Sequence, residues 1–95
     1  MLFTLSHSPF QTDLPTLLRL AGQGDDLLLM QDGVLAALKG GAALDWLLAA
    51  PISLYALKED VEARGLTAQI SDKITLIGYT TFVTLTVKHT QHVAG

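Results

Sequence analysis

The polar trio Gln31-Asp32-Gly33 closes a wholly apolar run, Leu27 to Met30, and a helical pattern leaves from it at Val34. In open α/β sheets the carboxyl ends of the strands are where ligands and partners are met. Gln31 and Asp32 are therefore the first candidates for a working edge. Asp32 also has the side chain of a helix N-cap, which accepts backbone N–H bonds in the first turn, and capping is its favoured role. His7, Lys58 and Tyr79 likewise follow apolar segments and belong on the same edge. Such a gathering follows from the fold and does not by itself make a catalytic centre.

The other reactive residue types do not assemble into a site. Ser6 and Ser8 flank His7, but neighbours in sequence cannot orient one another as a nucleophile and base, and no Gly-x-Ser-x-Gly elbow exists. They read as turn residues beside a surface histidine. His89 and His92 are three apart with no clustered carboxylates, so they read as solvated side chains and not as metal ligands. Gly22, Gly24 and the Gly40-Gly41 pair lack the strand–glycine–helix context of a phosphate loop. Glu59, Asp60 and Glu62 read as the solvated start of a helix, where acids favour the dipole. No catalytic, cofactor-binding or metal site is expected. Trp46, among alanines and leucines, is either core or an interface anchor.

Composition bounds the function further. The chain has 95 residues, enough for one domain, 1–95. It is 49% apolar and only 16% charged, against a usual charged fraction of about 25%. A domain this small hides little surface, so the surplus points to an apolar face kept for a partner. The net charge is −3 with no basic stripe, which argues against direct nucleic-acid binding. There is no cysteine, and thiol catalysis, thiolate metal sites and disulfides go with it. No signal-peptide pattern and no apolar stretch of about 20 residues is present, so a cytoplasmic protein without a membrane segment is expected.

The elements that must position these residues follow in order. Met1 to Leu5 predicts a strand, ended by Ser6-His7-Ser8-Pro9. Leu14, Leu17, Leu18 and Ala21 form one helical face, capped by Thr12 or Asp13 and stopped by Gly22 and Gly24. Asp26 to Met30 is an apolar strand covered on both faces. A short helix over Val34 to Leu38 breaks at Gly40-Gly41, and Ala42 to Ala49 resumes until Pro51. Ile52 to Leu57 is a strand, Lys58 to Arg64 a helix stopped by Gly65, and Leu66 to Asp72 a loop with one extended piece. Ile74 to Ile77 is the fourth strand. Thr80 to His89 carries both strand-like alternation and helical spacing, and the preceding strand-then-helix units favour helix. Gln91 to Ala94 then adds a short last strand. Four to five strands alternating with helices predict a three-layer α/β/α sandwich with a mostly parallel sheet.

Three blocks together resemble a known family. They are Ser8-Pro9-Phe10 with Gly24-Asp25-Asp26-Leu27-Leu28-Leu29-Met30-Gln31-Asp32-Gly33-Val34, the run Tyr55 to Leu66 with Ile70-Ser71-Asp72, and Phe82 to His89. The pattern is similar, nearly end to end, to the DsrH-type (TusB) subunits of bacterial sulfur-relay complexes, in the DsrE/DsrF/DsrH-like superfamily. The resemblance implies a DsrE-like fold with a five-stranded parallel sheet. It implies assembly with TusC- and TusD-like subunits into a heterohexamer with two copies of each. It further implies a role in passing persulfide sulfur from TusA-like to TusE-like carriers, toward 2-thiolation of the wobble uridine of tRNA. The sulfur-carrying cysteine belongs to the TusD-type subunit. Some DsrH-type relatives carry their own, and this chain has none. It also ends His92-Val93-Ala94-Gly95 where the family often ends in an aromatic residue.

A persulfide needs a thiol sulfur, and Met1 and Met30 offer only thioethers. The expected function is therefore that of a non-catalytic, interface-forming subunit, with both a monomer and a homo-oligomer open to the isolated chain. The alternative is a self-associating small-ligand binder using His7, Gln31 and Asp32.

Overall fold

The computed structural model describes residues 1–95. Five strands, β1 (Leu2–Leu5), β2 (Asp26–Leu29), β3 (Ser53–Leu57), β4 (Thr75–Ile77) and β5 (His92–Ala94), form one sheet in the order β4-β3-β2-β1-β5. Every pairing is parallel. The helices are α1 (Leu14–Arg19), α2 (Ala42–Ala49), α3 (Lys58–Ala63) and α4 (Tyr79–Lys88), with 3-10 segments at Gln31–Ala37 and Thr67–Gln69. The three-layer α/β/α sandwich expected from the sequence is present.

Strand order dictates the layers. From β1 to β4 the chain steps across the sheet in one direction, so connections of one hand lie on one face. Leu14 of α1, Val34, Ala36 and Ala37 of the 3-10 segment, Leu44 and Leu47 of α2, and Val61 of α3 all pack there, against Phe3, Leu5, Leu27, Leu29 and Ala56. The step from β4 back to β5 reverses direction and puts α4 on the other face. Leu85 and Phe82 of α4 cover Leu2, Leu28, Leu57 and Ile77. Leu27, Leu28 and Leu29 are at most 1% exposed, as an apolar run without alternation requires.

The sequence conflict in the last segment resolves as helix. Leu85 is buried while Val83 and Val87, its partners in the apparent alternation, are exposed. The threonines adapt by turning hydroxyls back onto helix carbonyls, Thr84 to Thr80 at 3.3 Å and Thr86 to Val83 at 2.6 Å. At the start of α1, Asp13 takes the cap. Its carboxylate accepts the Thr16 N–H at 3.3 Å and the Thr16 hydroxyl at 2.6 Å. The extended piece of the 66–72 loop is an antiparallel bridge between Leu38 and Ile70.

Two sequence expectations need correction. The segment after β2 is a 3-10 helix that starts at Gln31, not an α-helix from Val34. It is tight because Gly33 lies on β1, and a Cβ there would stand 2.0 Å from the Leu5 carbonyl oxygen. His89 is buried, not solvated. Its Nε2 donates to Asp26 Oδ2 at 2.7 Å, and Lys88 Nζ donates to the same oxygen at 3.0 Å. Asp26 is 1% exposed on the first residue of β2. The pair ties the end of α4 to the centre of the sheet. Burial alone pushes the Asp26 carboxyl up, but the hydrogen bonds and charges of His89 and Lys88 outweigh it and hold the group below its ordinary value.

Two outcomes follow. Gly33→Ala should cost about 3 kcal/mol, the upper end for forcing atoms into a filled site, measured by urea unfolding. A lowered Asp26 pKa contributes stability that is complete above the unfolded carboxylate value of about 3.9 and is lost as pH falls through the folded value. Asp26→Asn should therefore destabilise by up to about 3 kcal/mol at neutral pH. The gap to the unmodified chain should narrow below about pH 4, read from unfolding curves across pH.

Candidate interaction site at the carboxyl edge

All strands point the same way, so the residues that follow them share one edge. His7 follows β1, Gln31 and Asp32 follow β2, Lys58 follows β3, and Tyr79 follows β4. His7, Gln31, Asp32, Lys58 and Tyr79 are all exposed there.

The role expected for Asp32 does not hold. The segment begins two residues earlier than a cap at Asp32 needs, and Met30 stands at the cap position without a side-chain bond. Asp32 Oδ1 instead accepts from Arg64 Nη2 at 3.0 Å and Nε at 3.3 Å. The Arg64 Nη1 donates to the Asp60 carbonyl at 3.1 Å, which holds the guanidinium over the end of α3. Asp60 in turn accepts the Gln31 N–H on Oδ2 at 2.6 Å. Gln31 has φ +50°, the one positive value outside glycine, and an L-residue there costs roughly 1–2 kcal/mol. Asp60 and Arg64 thus clamp a strained turn to α3, and sequence reading had placed Asp60 only in a solvated helix start.

The connections leaving β3 and β4 diverge onto opposite faces, which opens a crevice between their ends. Glu59 fills it. Its Oε1 lies against Gly78, where an added Cβ would approach to 3.2 Å, and its Oε2 is buried without a hydrogen-bond partner. Of the acidic trio only Glu62 is fully exposed. No cluster of three metal-ligating side chains occurs anywhere in the chain.

Apart from Leu20 and Leu48, the exposed large apolar side chains lie in two places. On α4, Tyr79, Val83 and Val87 recur every fourth residue and are exposed by 56%, 58% and 79%. On the opposite layer, Phe10 and Trp46 border a groove of about 200 Å³ with Leu35 and Leu38. Trp46 is 44% exposed, so of its two readings the groove favours the surface one. The total surface, 5195 Å², matches the ~5,300 Å² of a compact chain of this mass. The exposed apolar residues are therefore features of a well-packed molecule and not of a loose one.

Asp32 is 62% exposed and Arg64 31%, so their pair is largely screened by solvent. Asp32→Ala should lower stability by less than about 1 kcal/mol, and the loss should shrink in high salt, measured by denaturant titration at two ionic strengths.

The comparisons with known proteins agree with this architecture. The family model described as DsrH like protein matches residues 7–92. The chain is 68% identical over 89 residues to Protein TusB of Serratia proteamaculans, covering 94% of each chain. It is 60% identical over 94 residues to Protein TusB of Erwinia tasmaniensis, covering 99% of each. Among solved structures it is similar to the ychN protein of E. coli, with a TM-score of 0.79 at 18% identity over 99% of this chain and 97% of that one. It is also similar to protein Tm0979 of Thermotoga maritima, with a TM-score of 0.70 at 29% identity over 94% of each chain. The parallel sheet, the edge cluster and the end-to-end similarity lead to one conclusion: the chain belongs to the DsrH-like family.

Proposed function

We propose that this chain is a non-catalytic structural subunit of a cytoplasmic sulfur-relay complex. In this reading it sits in a heterohexamer with TusC- and TusD-like subunits, two copies of each. The complex passes persulfide sulfur from TusA-like to TusE-like carriers, for 2-thiolation of the tRNA wobble uridine. The observation that carries the reading is the 68% identity, over 94% of both chains, to a protein named TusB. Two properties of the chain support it. It has no cysteine on which a persulfide could form. It also keeps an uncharged, exposed helix face, Tyr79-Val83-Val87 on α4, where a buried interface core needs apolar side chains. No helix is long and apolar enough to cross a membrane.

The subunit's work is then geometric. The α4 face gives sister chains an apolar surface to bury, and the clamped edge of Gln31, Asp32, Asp60 and Arg64 presents a fixed outline beside it. The thiol chemistry stays on a partner.

Co-expression with TusC- and TusD-like chains should give a single high-mass species by size-exclusion chromatography. A strictly monomeric elution counts against the reading. Val83→Glu with Val87→Glu should abolish co-elution without unfolding the chain, because both positions are already exposed.

A further inference from the structure

We infer that the Gln31 side chain is a contact residue for a sister chain, hydrogen-bonding a main-chain peptide group of an extended partner segment laid across the carboxyl edge. The inference rests on the sulfur-relay reading, because an assembly must supply that segment.

The observation that carries it is the backbone at Gln31. Its φ of +50° is the one positive value outside glycine. Residues other than glycine seldom occupy that region, and those that do cluster at functional sites. Glycine would make the same turn without the steric penalty. An exposed side chain kept on a strained backbone therefore argues for a use of the side chain itself.

The turn is also held in place. Met30 N–H donates to the Leu5 carbonyl at 2.9 Å, and Gly33 N–H donates to the Met30 carbonyl at 2.9 Å. Asp60 accepts the Gln31 N–H at 2.6 Å. A side chain on so fixed a base has little freedom left to lose on binding.

The chemistry left at this point selects the partner group. Asp32 and Arg64 neutralise each other, and Asp60 is occupied by the Gln31 N–H. What remains is the neutral primary amide of Gln31, an acceptor oxygen beside an NH2 donor. Its complement is one donor with one acceptor, the pair that an extended main chain repeats. The edge has room for such a segment. β2 and β4 are two strands apart in the sheet, so Gln31 and Tyr79 lie roughly 10 Å apart. About three extended residues cover that distance, passing Lys58 at the end of β3. Tyr79 opens the exposed face of α4, so the segment runs on into the apolar surface assigned above to sister chains.

The test sets stability against binding. The chain is co-expressed with its sister chains, and dissociation on dilution is followed by size-exclusion chromatography. Unfolding of each isolated variant in urea is measured alongside. Gln31→Ala should weaken the assembly about tenfold or more, because the partner's peptide group loses its bond. Gln31→Gly should weaken it as much, yet shift the folding equilibrium roughly two- to fivefold toward the native state by relieving the turn. A residue with a merely structural role cannot move the two in opposite directions. An assembly as tight with either variant as with the unmodified chain overturns the inference and leaves the relay reading standing. A Gln31→Gly chain less stable than the unmodified one overturns it too, since the turn is then not strained. No assembly with the unmodified chain overturns both.

Discussion

The reversal of direction after β4 is the constraint on which the rest of the molecule depends. Three consecutive crossovers load one face of the sheet with α1, the 3-10 segment, α2 and α3. A single helix, α4, is left for the other face. That helix is rich in β-branched residues and holds its position through the buried Leu85 and Asp26, with His89 donating to Asp26 at 2.7 Å. A single helix over a five-stranded sheet buries its inner side and leaves its outer side bare. The exposed Tyr79, Val83 and Val87 are the direct consequence.

The same topology shapes the carboxyl edge. The chain must leave β2 and cross β1 closely enough that only glycine fits at position 33. That close approach forces the turn before it into positive φ at Gln31. The strain is held by bonds from α3, where Asp60 receives the Gln31 amide and Arg64 grips Asp32. Asp32, Asp60 and Arg64 are thus spent on holding the backbone, while His7, Lys58 and Tyr79 stay exposed.

Much of this was legible in the sequence, for identifiable reasons. β2 was readable because a short apolar run without alternation, bounded by turn residues, fits a strand covered on both faces. The apolar surplus, and the lack of any thiol, were readable from composition. The cap expected of Asp32 failed because its partner, Arg64, is 32 residues away, and nothing local reports it. The burial of His89 was hidden for the same reason, since Asp26 lies 63 residues before it. The alternation of Val83, Leu85 and Val87 competed with the helical reading, and the helix prevailed, with two of the three side chains facing solvent. Pairings set by register across the sheet become visible only when the strands are in place.

The central claim is that this chain supplies surface to a sulfur-relay assembly and carries no sulfur itself. The most direct test is to load a reconstituted assembly with radiolabelled persulfide, stop the relay, and separate the subunits under non-reducing conditions. The account predicts label on a thiol-bearing sister subunit and none on this chain. Label retained by this chain would contradict it.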